Sequence, residues 1–353
     1  MNDSDTERLL FVTRCLLAAA GIFILIVVLW SLIDLLVLVF GAVVIAVLIR
    51  ALAEPIGRMA RLSHRPSVTV AVIVILAVLI GVFWLFGREF QGQFAQLSDA
   101  LPRAWHSAQG RIAQLPGGKA ILSSLQHHPG QPPRFVPKLE DVLGRMGSVV
   151  TDLLLLVFGS VFVAANPGLY KAGLLKLLPP QRRGLAADAL SDCDRALKRW
   201  LIGQLVSMAL VGFLTGLGLW LAGVPSAVAL GLIAGLLEII PYVGPILSAL
   251  PGLAVALTQS PSTALWALLV YVAVQQIEGN AIMPFVQKRA VSLPPALTVF
   301  GVVAAGVLLG AAGLVFAGPL LVVVFVLVKR LYVREALQTS TPIPGEGSKE
   351  GES

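Results

Sequence analysis

A chain of 353 residues that is 57% hydrophobic and only 13% charged falls far below the roughly 25% charge of soluble domains, which excludes an ordinary soluble fold. Its formal charge of +7 is carried by Lys/Arg clusters beside apolar runs, with no aromatic-studded basic face, so membrane topology accounts for it and nucleic acid is not expected as a partner. Only two cysteines are present, Cys15 and Cys193, so neither a disulfide framework nor a Cys-based metal site is expected.

Arg8 and Arg14 precede a first apolar run as in a signal peptide, but no small-residue cleavage site follows, so a retained anchor is expected. That run, residues 16–30, is separated from a second, 35–49, only by residues 31–34, which predicts a tight helical hairpin with Asp34 at its outer turn. Arg50, Arg58, Arg61 and Arg65 then place the next loop, and with it the amino terminus, in the cytoplasm and send residues 67–86 outward. Residues 1–87 form the first unit. Residues 88–148 mix polar and apolar positions between prolines and read as an external, partly helical insertion. His127 and His128 are adjacent on a loop with no further ligands nearby, so no metal is expected there.

Residues 149–200 form a return span and a cytoplasmic segment carrying Lys171, Lys176, Arg182, Arg183, Arg195, Lys198 and Arg199. Leu185, Leu190, Cys193, Leu197 and Trp200 recur at roughly helical spacing opposite Asp188, Asp192, Asp194 and Arg195, which predicts an amphipathic helix lying along the inner surface.

From residue 201 to 334 one pattern occurs twice: a long span, then two short apolar arms. The first arms, 226–240 and 246–257, meet at Pro241-Tyr242-Val243-Gly244-Pro245; the second, 296–310 and 313–328, meet at Ala311-Ala312, flanked by Gly310 and Gly313. Fifteen helical residues reach only about 22 Å against a hydrocarbon core of about 30 Å, so the arms are either re-entrant hairpins or short tilted spans. Lys288 and Arg289 end the second long span in the cytoplasm, where the first begins, which makes the two units an inverted repeat. Lys329, Arg330 and Arg334 close the last span on the cytoplasmic side, and residues 335–353 lack apolar content and are expected to be a disordered tail. The predicted architecture is all-α and polytopic, with about six full spans plus two short-armed hairpins, or about eight or more spans if the arms cross.

Within these apolar runs the polar residues locate the chemistry. A carboxylate in a bilayer costs a few kcal/mol or more and faces a partner, a cavity or a pathway. Glu238 lies on one face with Gly231 and Gly235, where small residues admit another backbone. Pro241 and Pro245 lack amide donors and Gly244 tolerates unusual angles, so the turn, with Tyr242, is expected to leave free carbonyls. Tyr271, Gln275 and Glu278 share a face of the second span, with Gln276 and Asn280 on the neighbouring stripe; the alternative to a binding patch is hydrogen bonding between helices. No HExxH, P-loop or intramembrane aspartate pair is present, so no enzyme and no cofactor is expected.

The segments LKRWLIGQ (197–204), LAGVPSAVALGLIAGLLEIIPYVGPILSALP (221–251), VQQIEGNAIMPFVQ (274–287) and GAAGLVFAGPL (310–320) resemble the autoinducer-2 exporter family of bacterial membrane proteins. The resemblance implies a homo-oligomeric inner-membrane permease that moves a small polar solute or a monovalent cation through the lipid bilayer, with members linked to autoinducer-2 export and others to sodium/proton antiport. It places the family's IPYVGP turn on 240–245 and its QQxExN patch on Gln275, Gln276, Glu278 and Asn280. A rival of another class is a non-transporting scaffold or sensor whose external insertion binds a partner.

Overall fold

The structure, a computed structural model, describes residues 31–78, 139–282 and 293–341 continuously and single positions among 13–30 and 80–84. The insertion up to residue 138, His127, His128, Cys15, Lys288, Arg289 and the tail beyond residue 341 lie outside the described residues. Among the described residues every regular element is helical, and apolar side chains are widely exposed: Leu177, Val307, Phe300 and Trp220 point outward, as helices facing lipid do. The molecule is a polytopic helical membrane protein.

Helix α1 (Ile33–Ala60) carries Pro55 inside it and ends at Arg61, whose left-handed backbone (φ 52°) turns the chain into α2 (His64–Val78). Val68 and Ala71 of α2 pack against Ala46, Ile49 and Ala53 of α1. The junction before α1 differs from the expected hairpin. Leu32 has φ −98° and ψ 9°, and it donates its N–H to Val28 while its C=O accepts from Leu36. A single residue so close to helical angles bends the chain without reversing it. Asp34 is exposed there.

Helix α3 (Leu139–Ala165) runs parallel to α1, with Leu156 beside Gly41, Gly159 beside Ala42 and Ala164 beside Ala46. Pro167 cannot continue it, and the chain turns by 90° at Asn166 into α4 (Pro167–Lys176). A 3₁₀ turn at Pro180–Arg182 leads into α5 (Arg183–Leu221), a 39-residue helix about 58 Å long. The amphipathic segment expected to lie along the surface is instead the first half of this helix. Its apolar face is covered by protein: Cys193 and Ala196 pack on Val322 and Val326, and Leu197 and Leu201 on Val44 and Val47.

Two hairpins lean on α5 from opposite ends. In the first, α6 (Ala227–Leu237) and α7 (Val243–Gln259) are joined by a tight turn, and Gly212 and Gly216 of α5 meet Gly231 and Gly235 backbone to backbone. Pro261 then opens α8 (Pro261–Ile277), with the Ser260 hydroxyl accepting from the Thr263 N–H at 3.0 Å, and a π-helical turn follows at Glu278–Ile282. The second hairpin is α9 (Pro295–Leu327), in which Gly310 breaks the helix with φ 64° and ψ −149°. A straight helix would hold Gly301 and Leu321 about 30 Å apart, yet their atoms crowd, as do those of Gly306 and Leu314. The two arms therefore fold back on each other. A π-helical segment, Val328–Ala336, closes the described core.

The register along α5 sets the heights. On the first hairpin, Ala227 lies opposite Gly216 and Glu238 reaches Gln204. On the second, Val326 and Val322 share a cluster with Cys193 and Ala196, and Gly318 lies against Trp200, so Gly310 extrapolates to a level near Met208. The two turns thus overlap in height. Ile239, Ile240 and Val243 of the first pack among Val302, Ala305, Leu314 and Ala317 of the second.

Candidate functional site

Where the turns overlap, the apolar interior is interrupted. Glu238, the residue ending α6, is only 4% exposed, and its Oε2 has no hydrogen-bond partner among the described residues. Its position is fixed through the backbone: the Gln204 side-chain amide of α5 donates to the Glu238 C=O at 2.7 Å. The carboxyl group faces α8, with Gln275 beside it and the Glu278 carboxyl within electrostatic reach. Ser207, one turn along α5 from Gln204, has its buried Oγ directed at the Glu278 carboxyl. A buried carboxylate with neutral hydrogen-bond neighbours and no cation beside it is costly, so the arrangement suits a proton, a cation or a hydrogen-bonding solute that completes it.

The turn behind Glu238 is held by two separate devices. Tyr242, and not Gly244, takes the positive φ (65°) of the turn. Gly244 is needed for closeness: a Cβ there would run into the Leu237 carbonyl. Several carbonyls around the turn are engaged: those of Leu236, Leu237, Ile240 and Pro241 accept from Ile239, Ile240, Gly244 and Val243, and that of Glu238 from Gln204. The Pro245 C=O accepts from the Ser248 hydroxyl at 2.9 Å.

On α8 the two stripes meet different surroundings. Gln275 and Glu278 turn toward Glu238, whereas Gln276 and Asn280 are exposed and bond each other, Asn280 Nδ2 donating to Gln276 Oε1 at 3.1 Å. Tyr271 is buried with its hydroxyl pressed against Gly252 of α7. Gly310, Ala311, Ala312 and Gly313 sit at the second turn, where a Cβ on Gly313 would strike the Ala305 carbonyl. Ser207 was missed by the sequence reading. Its signal was the stripe Ser207, Val211, Thr215, Leu219 at four-residue spacing, two small hydroxyl residues on the buried face of an apolar helix.

A second polar layer lies about three turns toward the start of α5. Asp194 pairs with Arg50 of α1, Lys198 with Glu54, and Asp192, which is 3% exposed, with Arg195 and with Arg330 at 3.7 Å; Arg330 also binds Asp188 at 3.1 Å. These pairs join α1, α5 and the end of the second hairpin.

Relatives share from about two thirds to nine tenths of this chain. The protein of Bacillus subtilis strain 168 named "Putative transport protein YrrI" is 25% identical over 335 residues, covering 90% of this chain and 95% of that protein. "Putative transport protein YueF" of the same organism is 27% identical over 237 residues, 67% of this chain and 63% of that one. "Putative permease PerM" of Escherichia coli K12 is 25% identical over 279 residues, 71% and 75% respectively. The family profile described as AI-2E family transporter matches residues 18–333, and the chain belongs to that family.

Proposed function

We propose that this protein is a secondary transporter, a permease without enzymatic activity, that carries a small polar solute past Glu238, Gln275 and Glu278. The observation that carries the reading is the buried Glu238 carboxyl, with its Oε2 left without a hydrogen-bond partner among the described residues, at the level where two oppositely inserted hairpins overlap. Inverted elements broken within the membrane surround substrate sites in secondary transporters. An autoinducer-2-like signalling molecule is the proposed solute. Pro241, Tyr242, Gly244 and Pro245 at one turn, and Gly310 to Gly313 at the other, border the route, with Gln276 and Asn280 at its edge. The protein sits in the bacterial inner membrane as a homo-oligomer with the turn between α1 and α2 and the carboxy terminus cytoplasmic, which the arginines at positions 50, 58, 61 and 65 and at 330 and 334 support.

A second reading, sodium/proton antiport, is favoured by the proximity of two carboxyl groups, which a cation or a proton would satisfy in turn. Purified protein in proteoliposomes separates the readings through efflux of labelled autoinducer-2 and sodium-driven changes of internal pH. Glu238→Gln keeps the shape and removes the charge; it is expected to lower the active flux about tenfold or more, a loss of about 1.4 kcal/mol of barrier stabilisation. Wild-type protein that moves neither species, or wild-type flux in both Glu238→Gln and Glu278→Gln, sinks the proposal.

A further inference from the structure

The 90° turn at Asn166 leaves α4 across the end of α3, so if α3 spans the bilayer, α4 lies along its plane. Neither α4 nor the 3₁₀ turn after it buries any residue. Leu169 is 70% and Leu177 81% exposed, and Leu174 and Leu178 project as well. Beside these leucines stand the exposed side chains of Lys176 and Arg182, and residues 153–187 contain no aspartate or glutamate. The neighbouring turn between α1 and α2 adds Arg61 and Arg65. The two turns are fastened together, since Arg65 donates to Asn166 Oδ1 at 3.4 Å and the His64 ring lies 3.2 Å from the Ala164 carbonyl. One shelf therefore presents bare leucines and excess positive charge together. Water suits the cations and not the leucines, and an acyl core suits the reverse; the headgroup layer accommodates both.

We propose that this shelf is an anionic-phospholipid site, with the α4 leucines at the acyl boundary and Lys176, Arg182, Arg61 and Arg65 holding headgroup phosphates. A second copy of the chain seated here about a two-fold axis would set cations against cations, which favours lipid as the occupant. The inference requires only that α3 spans the membrane and stands whether or not solute is transported.

The test uses the full chain carrying Cys15→Ser and Cys193→Ser, with Leu177→Cys bearing an environment-sensitive fluorophore, in phosphatidylcholine vesicles containing a fixed share of phosphatidylglycerol. Bromine is placed on one lipid or the other. Quenching by brominated phosphatidylglycerol should exceed that by brominated phosphatidylcholine, mole for mole, by about threefold or more, given the attraction of each basic residue for an anionic surface. Substituting Gln at Lys176, Arg182, Arg61 and Arg65 should erase the preference while leaving quenching in place. No quenching by either lipid, equal quenching by both, or a preference that survives the four substitutions would each overturn the assignment. Native mass spectrometry of the unsubstituted chain gives a second readout, with retained phosphatidylglycerol expected and its absence counting against the site.

Discussion

At Gly231 a single methyl group separates a closed α5–α6 contact from an open one. A Cβ there would lie 2.5 Å from the Gly216 Cα and 2.6 Å from the Gly212 carbonyl, both backbone atoms that cannot swing aside. Gly231→Ala is expected to lower stability by about 1–3 kcal/mol, the usual cost of overpacking, read as a fall in melting temperature in detergent. Gly173→Ala, with nothing within 4 Å of its Cβ, serves as the neutral or mildly stabilising control. Gln204→Ala should cost about 1–2 kcal/mol by leaving the Glu238 carbonyl without its donor. Glu238, Gln275 and Glu278 were legible in the sequence because a polar side chain in an apolar run is conspicuous wherever it points. What the sequence did not resolve was the facing of Gln276 and Asn280. Helical spacing sets them on the stripe beside Gln275 and Glu278, but spacing alone does not say that this stripe is exposed.

Helix α5 illustrates the limit of amphipathic patterns. Its first half alternates apolar and charged faces, which reports two environments but not whether the apolar one is lipid or protein. Here it is protein, and the charged face reaches residues some 140 positions away, Arg50 to Asp194 and Arg330 to Asp188, pairings that no local spacing reveals. The Arg330 pairs clamp the end of the second hairpin over Cys193, whose thiol lies under Val322, Val323 and Val326. Arg330→Gln, in a Cys15→Ser background, should therefore speed maleimide labelling of Cys193 by about tenfold, as expected when a partly buried pair worth about 1.4 kcal/mol is lost. Charge alone acts the other way, because removing a nearby cation disfavours the reactive thiolate. Unchanged or slower labelling would mean that packing, and not the ion pairs, keeps the arm in place.

For the whole molecule, the helical membrane class and the paired short arms were readable from composition and from the glycines and prolines that interrupt them. The relative height of the two turns was not, because it depends on the register of each hairpin against α5. That register now predicts a contact. With Val243 and Leu314 replaced by cysteine in an otherwise cysteine-free chain, a bifunctional linker of about 10 Å should join them, whereas turns at opposite surfaces would be about 30 Å apart and would not react. Flux after linking tests the coupling of the hairpins. Retained transport would mean that they move as one body, and lost transport that they slide past each other during the cycle.

The break at Gly310 chooses by handedness and not by size. Nothing lies within 4 Å of a Cβ built there, so room is plentiful, yet φ 64° with ψ −149° is a region that L side chains avoid. Its mirror image is the ordinary extended conformation of polyproline. A D-alanine placed at 310 by semisynthesis suits these angles and should melt above the L-alanine variant, which has the same atoms in the opposite chirality and should lower the melting temperature or force the turn to move to a neighbouring residue.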